Sequence, residues 1–174
     1  MTALDTVVDE LLSAVRSVDV GDLERAAAVI RESDGAITFT GQGRSGLIGA
    51  MTAMRLMHLG FRAHSAGEST APSVRAGDVL VAISGSGTTH TTEHFARIAA
   101  SEGAKVIAVL RDADSPIGAL ADVVVEIPAE KQSQVGGTRF EHTALVALDA
   151  VVHLLAESVP DAKSVLRRNH TNLQ

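Results

Sequence analysis

The stretch VLVAISGSGTT, running from Val79 to Thr89, decides the fold. Its first residues, Val79 to Ile83, are uniformly apolar, too short for an ordinary helix and lacking the alternation of a strand with one wet face. They read as a strand buried on both sides, the habit of parallel sheets. The glycines and hydroxyls that follow, Ser84-Gly85-Ser86-Gly87-Thr88-Thr89, end the strand in a turn and open a helix.

The same unit recurs on either side. Upstream, Ala36 to Thr40 reads as a strand, GQGRSG (Gly41 to Gly46) as its loop, and about Ser45 to Leu59 as a helix stopped by Gly60. Phe61 to Ala66 reads as a further strand. Downstream, Lys105 to Leu110 is a strand, Ser115-Pro116 opens a short helix, and Val123 to Ile127 is the fifth strand. A polar loop from Ala129 to Gly137 leads into a long helix, Thr138 to Ser158, which Pro160 breaks. Ahead of the repeats, Leu4, Val7, Val8, Leu11, Leu12 and Val15 share one helical stripe, and Asp22 to Arg31 forms a second helix. Alternating apolar strands and helices imply an α/β domain: a doubly wound, mainly parallel five-stranded sheet of flavodoxin-like type, with helices on both faces. Residues 1–174 form one domain, with 1–33 as an N-terminal helical arm and 160–174 as a C-terminal tail.

Composition narrows the function. The 174 residues carry a net charge of −6, no Cys, Trp or Tyr, and 2% aromatics. Stacking platforms and a basic groove are missing, so nucleic acid is not an expected partner. Thiolate catalysis and Cys-ligated metal are excluded. No apolar run is long enough for a bilayer and no signal-peptide pattern opens the chain, so a soluble cytoplasmic protein with no membrane partner is expected. His90, Glu93 and His94 share a helical face, but no third ligand accompanies them, and no metal is expected.

Both glycine-rich loops follow strands, where ligands of open α/β sheets bind. Gly41 to Gly46 matches GxGxxG, and Glu68 lies about where a ribose-binding acid would stand, so a dinucleotide site is one reading. The second loop argues against it. A second hydroxyl-dense turn is of no use to a dinucleotide but suits a phosphate monoester, held by helix N-terminal amides and by Ser and Thr hydroxyls. Gly43, Arg44, Ser45, Ser84, Ser86 and Thr89 are the candidate phosphate-binding residues. As ordinary turn residues and N-caps, they have a structural reading as well.

The pair GQGRS and SGSGTT resembles the signature of the sugar isomerase (SIS) domain family. The blocks GRSG, MRLMHLGF, GESTAP, ISGSG and GGTRFEHTAL, in that order from Ile37 onward, resemble the 6-phospho-3-hexuloisomerases within it. The resemblance implies an isomerase that interconverts 3-hexulose 6-phosphate and fructose 6-phosphate through an enediol, without cofactor, in the ribulose monophosphate pathway of formaldehyde fixation. It also implies a homo-oligomer, a tetramer, with active sites shared between subunits. Another SIS isomerase, acting on a heptulose or pentose phosphate, and a non-catalytic sugar-phosphate sensor are the alternatives.

Under that resemblance Glu141, at the head of the long helix, is the expected base, although Thr138-Arg139-Phe140-Glu141 also fits a capping box. His58 stands where paired SIS domains carry a catalytic glutamate that serves the partner's site. A helix of about 20 Å at ~1.5 Å per residue separates it from its own loop. His170 is the third catalytic candidate, by analogy with isomerases that place a histidine near the C-terminus. Glu68, in GESTAP, is expected to bind substrate hydroxyls. Part of the long helix's apolar surface, which exceeds what one sheet face needs, is expected to meet another subunit.

Overall fold

The structure is a computed structural model and describes residues 1–128 and 133–173. The expected loop from 129 to 137 therefore begins outside the described residues.

Five strands form one sheet in the order β2-β1-β3-β4-β5: β1 Ile37–Gly41, β2 Ala63–Ser65, β3 Val79–Ser84, β4 Lys105–Leu110 and β5 Val123–Glu126. Every pairing is parallel. β3, from the stretch that decided the fold, lies in the middle and is buried throughout. Alternate residues of its neighbours face opposite layers. Ile37, Phe39, Val81, Ile83, Ile107, Val109, Val123 and Val125 join one core. Leu80, Ala82, Val106, Ala108 and Leu110 join the other.

The second face is covered by α4 (His90–Ser101) and a short 3-10 helix, Gly118–Leu120. The first face is thicker. It carries α2 (Val20–Glu32), α3 (Arg44–His58) and α5 (Thr138–Glu157), with α1 (Ala3–Arg16) packed against α5. The N-terminal helices, expected as an added arm, are thus built into the fold. α2 places Leu23, Ala26, Ala27 and Ile30 in the main core. Burial of a side chain such as Leu56 of α3, fully enclosed, contributes roughly 1.5–3 kcal/mol.

Two further expectations are corrected. Residues 160–174 are not simply a tail, because Ala162–Asn169 form a helix, α6, against α3. The apolar surface of α5 is covered more fully than expected: Ala144, Ala147, Leu148 and Val151 are buried and Leu145 and Val152 are half-buried on the same core, because α1, α2 and α3 pack against it, while Val146 stays 38% exposed. Longer exposed apolar rows lie elsewhere. α3 presents Leu47 (66% exposed), Met51 (37%) and Met54 (52%), and α1 presents Leu4, Val8 and Leu12. Among the described residues no single helix is long and apolar enough to cross a membrane.

The register fixes the site. Gly41 pairs with Ile83, and Ser84 with Leu110. The carboxyl ends of β1, β3 and β4 therefore stand side by side. Strand order reverses between β1 and β3, the position at which such sheets open a ligand crevice.

Candidate active site

Three helices start at this edge of the sheet: α3 after Gly43, α4 after Thr89 and α5 after Gly137. None has a side-chain cap. The structural helices α1 and α2, by contrast, are capped by Thr2 and Asp19. Uncapped first turns leave backbone N–H donors and the positive end of the helix dipole facing the crevice, which suits an anion.

The second loop is held open by its own hydroxyls. Ser84, buried at the end of β3, has its Oγ 2.9 Å from Thr89 Oγ1 and accepts from the Gly87 amide at 3.2 Å. Gly87 adopts φ +67°, and a Cβ on it would fall 2.2 Å from Ser115 Oγ, so this turn requires glycine. Ser86 is exposed and accepts from the Thr88 amide at 3.3 Å and the Thr88 hydroxyl at 3.1 Å. Its own hydroxyl hydrogen remains available to a ligand. Of the first loop, Gly43 and Arg44 are exposed and Ser45 is half-buried at the start of α3.

Glu141 reaches this edge from the first turn of α5. Its Oε2 accepts from Arg44 Nε at 2.5 Å, an ion pair joining residues far apart in sequence. The carboxylate is 15% exposed and the arginine side chain 65%. The hydrogen bond and the charge of Glu141 raise the Arg44 pKa above its ordinary value. Arg44, expected at a phosphate, is thus also the ion-pair partner of the expected base. The capping-box reading of Thr138 to Glu141 is not realised. Gly137 is the N-cap, and Thr138, already helical, donates its hydroxyl to the Val135 carbonyl at 2.7 Å.

The approach to α5 is fastened by α1. Glu10 accepts from the Ser133 amide and hydroxyl, both at 2.6 Å, and from Gln134 Nε2 at 2.9 Å. These bonds, those of Ser133 foremost, hold the Glu10 carboxyl down to a pKa of about 2. The buried Arg139 side chain adds a bond from Nε to the Glu10 carbonyl at 3.2 Å.

His58 and His170 lie together at the other end of α3. Their rings stack with centroids 5.1 Å apart and an interplanar angle of 22°. α6 brings them together: Asn169 Nδ2 donates to the His58 carbonyl at 3.3 Å. The structure therefore unites the two histidine candidates and keeps them away from the loops of their own chain. Glu68 is exposed and lines a groove with Thr38, Pro72, Leu80, Phe95 and Ile98; no residue of either glycine-rich loop borders that groove. Among the described residues no cluster of three or more His, Asp or Glu side chains suits a metal ion.

One residue at the edge was not singled out from sequence. Arg111 follows β4 directly, and its guanidinium carbon lies 5.5 Å from the Phe140 ring centroid. The only sequence signal for it is a position just past a strand's carboxyl end.

Comparison with known proteins agrees with this fold. The SIS domain pattern matches residues 30–154. A 3-hexulose-6-phosphate isomerase from Mycobacterium gastri is 37% identical over 98% of this chain and 89% of its own length. A 3-hexulose-6-phosphate isomerase from Bacillus subtilis is 33% identical over 97% and 95%. A crystal structure of a protein from Methanococcus jannaschii, for which 3-hexulose-6-phosphate isomerase function has been inferred, superposes with a TM-score of 0.87 at 33% identity. It covers 98% of both chains. With the switch-point loops, the parallel sheet and these relatives in agreement, the chain belongs to the SIS domain family.

Proposed function

We propose that this protein is an isomerase that interconverts 3-hexulose 6-phosphate and fructose 6-phosphate, serving in the cytoplasm in formaldehyde fixation by the ribulose monophosphate route. The observation that carries the chemistry is the placement of Glu141, a carboxylate held by Arg44 of the first glycine-rich loop. The substrate's identity rests on the nearly full-length similarity to enzymes of that name.

The roles follow from position. Ser45, Ser84, Ser86, Thr89 and the uncapped first turns of α3 and α4 hold the phosphate. Arg44 meets Glu141 through Nε and keeps its Nη donors for the phosphate. Glu141 removes the proton from C2 of the ketose; the electron pair forms the C2–C3 double bond of an enediol. Returning the proton to C3 leaves the carbonyl at C2. A second group must move a proton between the two oxygens, and histidine suits that task.

His58 and His170 supply it from a neighbouring subunit. Exposed contiguous apolar rows mark protein contacts, and Met-rich ones adapt well to a partner. Leu47, Met51 and Met54 form such a row along α3, in line with His58. Two copies packed through α3 in opposite directions would bring each histidine pair toward the other's loops. The second row, on α1, offers the further contact that a tetramer needs. Glu68, on its separate groove, is assigned to hydroxyl binding only within such an assembly.

The test is incubation with 3-hexulose 6-phosphate made by a synthase, following fructose 6-phosphate. Its appearance supports the proposal; binding of the sugar phosphate without turnover would instead indicate a sensor. Light scattering on the wild type and on Met54→Asp tests the assembly, which should lose mass in the variant.

A further inference from the structure

The guanidinium of Arg111 lies at the carboxyl edge of the sheet, between the second loop and the head of α5. A Cβ on Gly85 would fall 2.9 Å from its Nη2 and 3.2 Å from its Nε, so the group rests against the bare backbone of the second loop. On another side it meets the Phe140 ring. Its Nε is buried and has no hydrogen-bond partner among the described residues. A buried donor left without an acceptor is costly, and such groups persist where a ligand completes them.

Gly137 shows which part of a ligand that would be. A Cβ there would fall 3.0 Å from Glu141 Oε1 and 3.6 Å from Arg111 Nη2. The expected base and the guanidinium thus both lie close against Gly137 at the head of α5. When a base takes the proton from C2, the C–H pair becomes the second bond between C2 and C3 and the carbonyl π pair moves onto the oxygen of C3. That oxygen is two bonds from the carbon losing the proton. A donor that stabilises it must stand beside the base, at about 2.7–3.1 Å from the oxyanion. Phosphate, at the other end of the sugar, is provided for by the hydroxyls and uncapped helices.

We infer that Arg111 is a catalytic residue of the isomerisation: its guanidinium binds the carbonyl oxygen of the ketose and stabilises the enediolate that Glu141 generates. The inference rests on the isomerase reading above. Arg111 keeps its own protons, because a guanidinium does not deprotonate in this range. The proton that neutralises the oxygen comes from the histidine pair.

The experiment compares wild type, Arg111→Lys and Arg111→Met for kcat, for KM, and for competitive inhibition by inorganic phosphate. Thermal unfolding checks each fold, and the lysine variant, which keeps charge and stem, serves if the methionine variant does not fold. Arg111→Met should lose kcat by about 10²–10³-fold, the range for one oxyanion donor, with KM and the phosphate inhibition constant within about twofold of wild type. Arg111→Lys should fall between, because the planar fork is lost but the charge remains. Added guanidinium ion should restore part of the Arg111→Met rate. Unchanged kcat in the folded variants would overturn the inference while leaving the isomerase reading intact. Loss confined to KM and phosphate inhibition would likewise overturn it and make Arg111 a phosphate ligand. A wild-type chain that forms no fructose 6-phosphate would overturn both.

Discussion

The proposed sharing of the site between subunits makes a numerical prediction. Between Gly43 and His58 run the 15 residues of α3, which at about 1.5 Å each separate the first loop from the histidine by about 22 Å. A hydrogen bond spans about 3 Å, so one chain cannot close the site on itself through His58. Glu141→Gln removes the base and should lower kcat by about 10²–10⁴-fold, equivalent to about 2.7–5.5 kcal/mol of transition-state stabilisation. The fold should survive, because Arg44, its ion-pair partner, is largely exposed. His58→Asn should be similarly poor if it moves the second proton. Each variant alone is then nearly inactive. Mixed in equal amounts, dissociated and re-paired at random, roughly half of the pairs contain one of each variant, and each such pair holds one intact site of two. Activity should return to about a quarter of wild type for an isologous pair. The assay is fructose 6-phosphate formation before and after subunit exchange, with exchange verified by native mass spectrometry. Mixed pairs that stay at the level of the separate variants would refute the reasoning, since Glu141 and His58 would then act within one chain or not together.

Ser86→Ala and Thr89→Val should each weaken substrate binding by about 1–3 kcal/mol, read as a raised KM with kcat little changed; normal KM in both would remove the second loop from phosphate binding. Gly87→Ala combines a left-handed backbone with a Cβ 2.2 Å from Ser115 Oγ, and should lower both Tm and substrate affinity, measured by thermal unfolding with and without fructose 6-phosphate. Glu10 has its carboxyl held down to about 2 from an ordinary 4.5. Its contribution is fully present above pH 4.5 and fades as the pH falls through about 2, where the folded state also binds the proton. Wild type should therefore exceed Glu10→Gln in Tm at pH 7, and the gap should narrow below about pH 4.5; a gap that widens with acid would contradict the bonding to Ser133 and Gln134.

Much of the fold was legible because short apolar strands alternate with helices, two of them running into glycine-rich turns, and parallel sheets bury such strands whole. The first and second loops were legible for the same reason: strand polarity alone puts them at the carboxyl edge. What escaped depended on contacts between distant segments. α6 is short and highly charged, and its eight residues would be marginal in isolation. Its order comes from packing on α3, through contacts such as Asn169 to the His58 carbonyl. Without α6 the nearness of His170 to His58 could not be read. Arg111, in the run RDADS, looks like a solvated turn arginine. Its surroundings consist of Gly85, Gly137 and Phe140, which no local pattern connects to it. The cap of α5 was misplaced by one residue, since Thr138 bonds backward to Val135 rather than into the helix. The surplus apolar surface of α5 was judged against one sheet face, when α1, α2 and α3 enclose it as well.

The bonds from Glu10 to Ser133 and Gln134 bear on how this protein can be recombined with its relatives. They tie the first helix to the segment that leads into Glu141, across most of the chain. A chimera with one crossover between residues 17 and 132 would take α1 from one parent and its fastening points from the other. Inheritance of the candidate active site is therefore not local in sequence. The first helix travels best with the 133–139 segment, and libraries that exchange the two as a pair should retain more active members than libraries that exchange either alone.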